Sequence, residues 1–419
     1  MDGTRTSPYR SGAFGNARAL ICRECGREQM LGPFYACVEC FGPLEVGYDL
    51  PAVTRAQIEA GPRSMWRYQP LLPVPADVAS YPNTDPGCTR LVKADNLARA
   101  LGLKTLWIKD DSGNPTHSFK DRVVAVALSA ARELGLRVLA CPSTGNLANA
   151  VAAAAARAGM PSVVFIPHDL ERPKVVTTAV YGGTLVAVRG TYDDVNRLAS
   201  EVAGEEPDWA FVNVNVRPYY AEGSKTLGYE TAEQLGWRLP QQVVVPVASG
   251  AQLTKVDKAF GELVKLGLVE ETPYRMFGAQ AAGCAPVATA YKQGHDVVRP
   301  ARPDTIARSL AIGNPADGPY VLDVCRRTGG AVEDVTDEEV RDGIQLLARR
   351  EGIFTETAGG VTVATLRKLV ETGRVDPDAE TVLFNTGDGL KTLDAVADRV
   401  GPAVTIDPSY AEFAAAGLA

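Results

Sequence analysis

The sequence predicts an α/β chain with a largely parallel sheet, preceded by a small four-cysteine module. Three observations carry this. From residue 105 onward, short apolar runs alternate with helix-patterned segments, the pattern of successive βα units. Three loops that follow such runs and open helices, at 141–149, 246–255 and 384–392, pair small residues or glycine with hydroxyls or amides. Ahead of them stand two CxxC pairs, at 22–25 and 37–40.

Taken in order, residues 1–18 ("MDGTRTSPYRSGAFGNAR") are small and polar and read as a flexible tail. They lack the apolar stretch of a secretory leader. Residues 19–50 form the cysteine module, with Cys22-x2-Cys25-x11-Cys37-x2-Cys40. That spacing fits a four-thiolate zinc ribbon or knuckle, and the glycines after each pair suit tight turns round a metal. Four protein ligands close a zinc site, so the expected zinc is structural, with redox disulfides or a metal-free relic as the other readings. Arg18, Arg23 and Arg27 are offset by Glu24, Glu28, Glu39 and Glu45, a balance that disfavours nucleic acid. Cys88, Cys141, Cys284 and Cys325 are scattered, unlike a secreted disulfide scaffold.

Residues 51–419 hold the α/β units. The runs "TLWIKD", "RVLACP", "SVVFIP", "TLVAV", "AFVNV", "QQVVVPV", "YRMFGAQ" and "ETVLFNT" are expected strands. Segments such as "NLANAVAAAAARAG" and "DEEVRDGIQLLARREG" between them are expected helices. The longest apolar stretch, 149–167, is interrupted by Arg157, Gly159 and Pro161 and reads as helix then strand rather than a membrane span. A net charge of −7 over 419 residues argues against a nucleic-acid or anionic-membrane surface. The expected location is the cytoplasm, and the expected partner a small molecule.

In such folds ligands meet the loops at the carboxyl ends of strands. "SGNPTHSFKDR" (112–122) passes from turn formers into a helix and puts Lys120 at the helix start. The free N–H groups there make a positive end, an unfavourable place for a cation. Three helix-opening loops suited to anions make a chemical role for this lysine the stronger reading over a surface lysine beside Asp121.

"NPTHSFKDR", "STGN", "EGSKT" and "NTGDGLK", in this order, resemble the threonine synthases. These are fold-type II enzymes dependent on pyridoxal 5′-phosphate. The resemblance runs from about residue 65 almost to the end and takes in "IGNPADG" and "EGIFTETAGGVTVATLRKL"; the cysteine module occurs in some long members. It implies two three-layer α/β lobes with the cofactor between them, the smaller lobe roughly 135–235, and a homodimer. It implies that Lys120 forms the Schiff base with the cofactor and later moves protons on an amino-acid substrate. Ser143, Thr144, Gly145 and Asn146 would hold the substrate carboxylate, Asn146 also the cofactor's ring hydroxyl. Thr386 would face the pyridine nitrogen, and Ala248, Ser249, Gly250, Ala251 and Gln252 would cradle the cofactor phosphate.

The sequence departs from the family where the phosphate of O-phosphohomoserine is bound. Leu147 stands for the threonine of "STGNT", Asn215 for a serine and Tyr220 for an arginine. Tyr220 cannot replace an arginine in charge. Arg217, His117 and Lys225 are the candidates to compensate as substrate ligands. The alternatives are a β-replacing or eliminating relative, such as a cysteate-forming enzyme acting on O-phosphoserine, or a dehydratase or ammonia-lyase. A non-catalytic cofactor-binding homologue is disfavoured, because Lys120, Asn146 and Thr386 are all present.

Overall fold

Three sheets organise the chain in the computed structural model, which describes residues 9–417 apart from 144, 171 and 191. The strands, in chain order, are β1 (Ala17–Cys22), β2 (Glu28–Gln29), β3 (Leu44–Tyr48), β4 (Arg90–Lys93), β5 (Leu106–Asp110), β6 (Val138–Pro142) and β7 (Ser162–Pro167). They continue with β8 (Thr184–Val188), β9 (Trp209–Phe211), β10 (Gln242–Pro246), β11 (Arg275–Ala281), β12 (Ala331–Val335) and β13 (Thr381–Asn385). A small antiparallel sheet has the order β2-β1-β3, a six-stranded sheet β12-β11-β10-β13-β5-β4, and a four-stranded sheet β8-β7-β6-β9. The four-stranded sheet is parallel throughout. The six-stranded sheet is parallel except for its edge strand β4.

The central strands read as unbroken apolar runs because helices cover both faces. Every residue of β10 (QVVVP) and β13 (TVLFN) is buried. The strand expected at "AFVNV" stops at Phe211, where Asn215 folds back. Its Oδ1 accepts the Phe211 N–H at 2.9 Å and its Nδ2 donates to the Trp209 carbonyl at 2.9 Å.

The cysteine module shares its core with the rest of the chain. Leu20, Leu44 and Val46 lie in one buried cluster with Val124, Leu139 and Tyr219. The expected flexible tail is packed from Tyr9 onward, its first eight residues lying outside those described. Phe14 is buried and stacks on Tyr219 with ring centroids 5.3 Å apart, Tyr9 meets Phe14 edge-on, and Arg10 pairs with Glu133 at 2.6 Å. These aromatic contacts, which polarity alone conceals, order the segment.

Candidate active site

Four loops at the carboxyl ends of β5, β6, β10 and β13 converge on a cavity of about 810 Å³. Lys120 begins the helix Lys120–Glu133. Its approach is fixed by the loop after β13: Ser118 bridges Gly387, the Phe119 N–H donates to the Thr386 carbonyl at 3.0 Å, and the Asp388 N–H donates to the His117 carbonyl at 3.1 Å. His117 makes the turn with φ +61°. Below, fully buried Arg122 bonds Asp111 at 2.7 Å and Glu230 at 2.9 Å. Paired in this way, a buried cation is held in one geometry.

Lys120 Nζ reaches the cavity 3.0 Å from the Tyr220 hydroxyl and 4.5 Å from the centre of the Phe119 ring. Asn146 opens the helix Asn146–Ala158, and its Nδ2 donates to Glu356 Oε2 at 2.8 Å. The Thr386 hydroxyl lies 3.3 Å from Glu356 Oε1. Glu356 thus joins the two residues expected at the cofactor ring. It is buried, and burial raises its carboxyl above the ordinary range. Motif reading missed it. The available signal was an acid immediately ahead of the apolar helix Thr357–Glu371.

Ser143 lines the cavity, yet its Oγ accepts the backbone N–H groups of Gly145 at 3.2 Å and Ala148 at 3.1 Å. It therefore caps the helix. Thr144 lies outside the described residues. Gly145, Asn146 and Leu147 all line the cavity.

The fourth loop, Ala248 to Gln252, also lines the cavity. Gly250 has φ +97°, and a Cβ on it would lie 2.7 Å from Val321 Cγ2. Only glycine suits both demands. The helix Ala251–Lys265 starts here with no side-chain cap, and the buried Gln252 Nε2 has no hydrogen-bond partner. An unsatisfied donor at an open helix N-terminus fits a phosphate. With an amine across the cavity, this arrangement fits pyridoxal phosphate.

Two of the compensating candidates are committed elsewhere. Lys225 does not line the cavity. It is fully buried, 2.9 Å from Glu222 and 3.0 Å from Glu262, because a lysine there stabilises two buried carboxylates. Arg217 does line the cavity, but its guanidinium pairs with Asp317. His117 faces a second cavity of about 240 Å³ that shares Gly145, Asn146 and Glu356 with the first. The basic side chains lining the main cavity also include Arg302 and Arg308.

Residues 83–387 match the family described as pyridoxal-phosphate dependent enzyme. A threonine synthase of Methanocaldococcus jannaschii is 36% identical over 89% of this chain and 93% of its own. One of Methanosarcina acetivorans is 37% identical over 93% of this chain and 96% of its own. The chain belongs to the threonine synthase family. Among solved structures, the processed form of threonine deaminase isoform 2 from Solanum lycopersicum matches with a TM-score of 0.63 at 21% identity, covering 77% of this chain and 86% of that one. That likeness shows the shared fold, the two-lobed α/β architecture expected from the sequence.

In this threonine synthase family member, the four cysteines of the N-terminal module come together. All four sulfurs lie within 4.8 Å of one another, with Cys22 and Cys40 3.4 Å apart and Cys25 and Cys37 3.8 Å apart. Tetrahedral zinc with bonds of about 2.3 Å needs sulfurs about 3.8 Å apart. Backbone N–H groups of Cys40 and Glu39 help hold the Cys37 thiol down at about 7. Against a lowering hydrogen bond from Gly42, contacts with Cys22 and Cys25 push Cys40 up to about 12. Such crowding of thiolates is what a divalent cation relieves. The cluster is compatible with a metal site.

Proposed function

We propose that the protein converts O-phosphohomoserine and water to threonine and phosphate. The observation that carries the reading is 36–37% identity to two threonine synthases along nearly the whole chain, in a protein whose lysine amine stands in the cavity those loops enclose. Pyridoxal phosphate, when bound, supplies the electron sink that makes the substrate's carbon-bound protons removable. Lys120 would hold it covalently, Ala248 to Gln252 would hold its phosphate, and Asn146 and Thr386 would meet its ring. The Asn146 N–H, at the start of its helix, would hold the substrate carboxylate, the Gly145 N–H being donated to Ser143 Oγ. As a free amine, Lys120 would take the Cα proton; a second proton would leave Cβ as the C–O bond from Cγ to phosphate breaks with its pair on oxygen, and a proton returned to Cγ and water added at Cβ would give threonine.

One observation favours a second reading, β-replacement or elimination on O-phosphoserine. Asn215 is consumed by its own loop, Arg217 by Asp317, and Lys225 by two glutamates. The side chains expected at these three positions to bind the O-phosphohomoserine phosphate are therefore engaged within the protein itself. Product analysis with cofactor-loaded protein decides between them. Threonine and phosphate in equal amounts from O-phosphohomoserine support the first reading. No turnover of that substrate, with turnover of O-phosphoserine, replaces it with the second.

The same reading assigns structural zinc to the four cysteines of module 19–50, and divides residues 51–419 into a smaller lobe at roughly 135–235 and a larger remainder. It includes a homodimer at work in the cytoplasm. Residues 401–416 are exposed almost throughout, and Val404, Ile406, Tyr410 and Phe413 lie bare along them. A second copy is the simplest cover for such an arm. No helix among the described residues is long and apolar enough to cross a membrane.

A further inference from the structure

We infer that Tyr220 is a catalytic residue: its hydroxyl protonates the departing phosphate and recovers its proton from Lys120. The inference rests on the proposed function for its substrate and on the geometry for its chemistry. The Tyr220 hydroxyl lies 3.0 Å from Lys120 Nζ, within the range for direct proton transfer. The ring lines the cavity and is only 8% exposed.

This contact is enforced from several sides. Tyr220 sits in the short helix Arg217–Glu222, whose following residue, Gly223, meets the start of the lysine helix. A Cβ on Gly223 would lie 2.6 Å from the Arg122 carbonyl oxygen and 2.6 Å from Val123 Cα. Beside it, the Tyr219 hydroxyl accepts the Gly32 N–H at 2.8 Å. Two residues on, Glu222 accepts from the Tyr48 hydroxyl at 2.7 Å and from Lys255 at 2.6 Å. A residue that merely filled space would not need its hydroxyl delivered to the reactive amine.

The chemistry balances. Lys120 takes a proton as a substrate C–H bond breaks, and that bond's electron pair stays in the carbon skeleton as new unsaturation. The C–O bond to phosphate breaks with its pair on oxygen, and that oxygen takes the phenolic proton. The Lys120 ammonium then returns its proton to the phenolate. An arginine at this position would bind phosphate but would not release a proton near neutral pH, so the tyrosine exchanges an electrostatic ligand for an acid.

The test is Tyr220→Phe in the cofactor-loaded enzyme, read in two assays on O-phosphohomoserine. Exchange of the Cα hydrogen with deuterated solvent, followed by NMR, reports Lys120. Phosphate release reports expulsion of the leaving group. The relay predicts exchange within about threefold of wild type and phosphate release reduced at least about 100-fold. Phosphate release within about threefold of wild type overturns it. So do equal losses in both assays with an unchanged cofactor spectrum and melting temperature, which would make Tyr220 a positioning residue for Lys120. Wild-type enzyme that releases no phosphate from O-phosphohomoserine refutes the proposed function instead, and the same two assays on O-phosphoserine then decide the relay.

Discussion

Asp121 follows Lys120 in the chain, and its carboxylate accepts the Thr116 N–H at 2.8 Å and bonds the Thr116 hydroxyl at 2.9 Å. Burial outweighs these bonds and pushes its carboxyl from 3.8 up to about 6. An acid that holds its proton more tightly in the folded state contributes stability that is full below about pH 4 and lost as pH rises through about 6. Asp121→Asn keeps an acceptor for the Thr116 N–H and carries no proton to lose. It should gain on wild type between about pH 4 and pH 6, by about 3 kcal/mol at most, and hold a constant lead above that. Melting temperatures across that range check it. Glu356 makes a second prediction. Glu356→Ala leaves Asn146 and Thr386 without their shared partner, so cofactor affinity should fall about tenfold or more. Glu356→Gln can still accept from Asn146 and donate to Thr386, and should stay within about threefold by absorbance titration of the apoprotein. Lys120, Asn146 and Thr386 were legible because each stands in a motif beside a strand end. Glu356 was not, because an isolated glutamate reveals its role only when the chain brings distant segments to both of its oxygens.

At the scale of elements, every apolar run expected as a strand forms one at least in part; the central ones are covered on both faces and need apolar residues throughout, whereas β8 (TLVAV), at a sheet edge, has no buried residue. In the six-stranded sheet the strands missed are its two edges. β4 (RLVK) has no residue buried and charge at both ends, and β12 (AVEDV) carries two acids. Edge strands tolerate charge, and often need it, which removes the signal. The pairing of β13 with β5 was equally hidden, because parallel neighbours so far apart in sequence leave no local trace. The short helix Arg217–Glu222 shows how an element can matter through one glycine. Gly223→Ala must push this helix off the lysine helix by several tenths of an ångström, since both close contacts are backbone atoms. We expect a loss of about 1–3 kcal/mol in stability and a fall in kcat larger than the rise in KM, because the Tyr220 to Lys120 contact opens. Thermal melting and steady-state kinetics on one preparation test both parts.

At the scale of the molecule, the cysteine module touches the helix that carries Tyr220 at two residues and reaches it a third time through Asp317. Gly32 bonds Tyr219 and Tyr48 bonds Glu222. Arg23, between the first two cysteines, lies 3.3 Å from Asp317, which in turn pairs with Arg217. Asp317 also donates its N–H to the Ser249 carbonyl at 2.8 Å, and its Cβ lies 3.0 Å from where a Gly250 Cβ would stand. The module therefore braces both the Tyr220 helix and the loop suited to the cofactor phosphate. The bracing depends on the turns between cysteines, and four thiolates crowded without a cation repel one another. Chelation of the zinc proposed for the four cysteines should therefore lower cofactor affinity and kcat together, each by about tenfold if about 1.4 kcal/mol of bracing is lost at each site. Readdition of zinc should restore both. Asp317→Asn separates this effect from general unfolding: it weakens the pairs with Arg23 and Arg217 while leaving the cysteines intact, and should reproduce the loss of cofactor affinity with zinc still bound. Metal content, cofactor titration and turnover on the three samples decide the matter. Full cofactor affinity and turnover in the metal-free protein would make the module a passenger on the catalytic region.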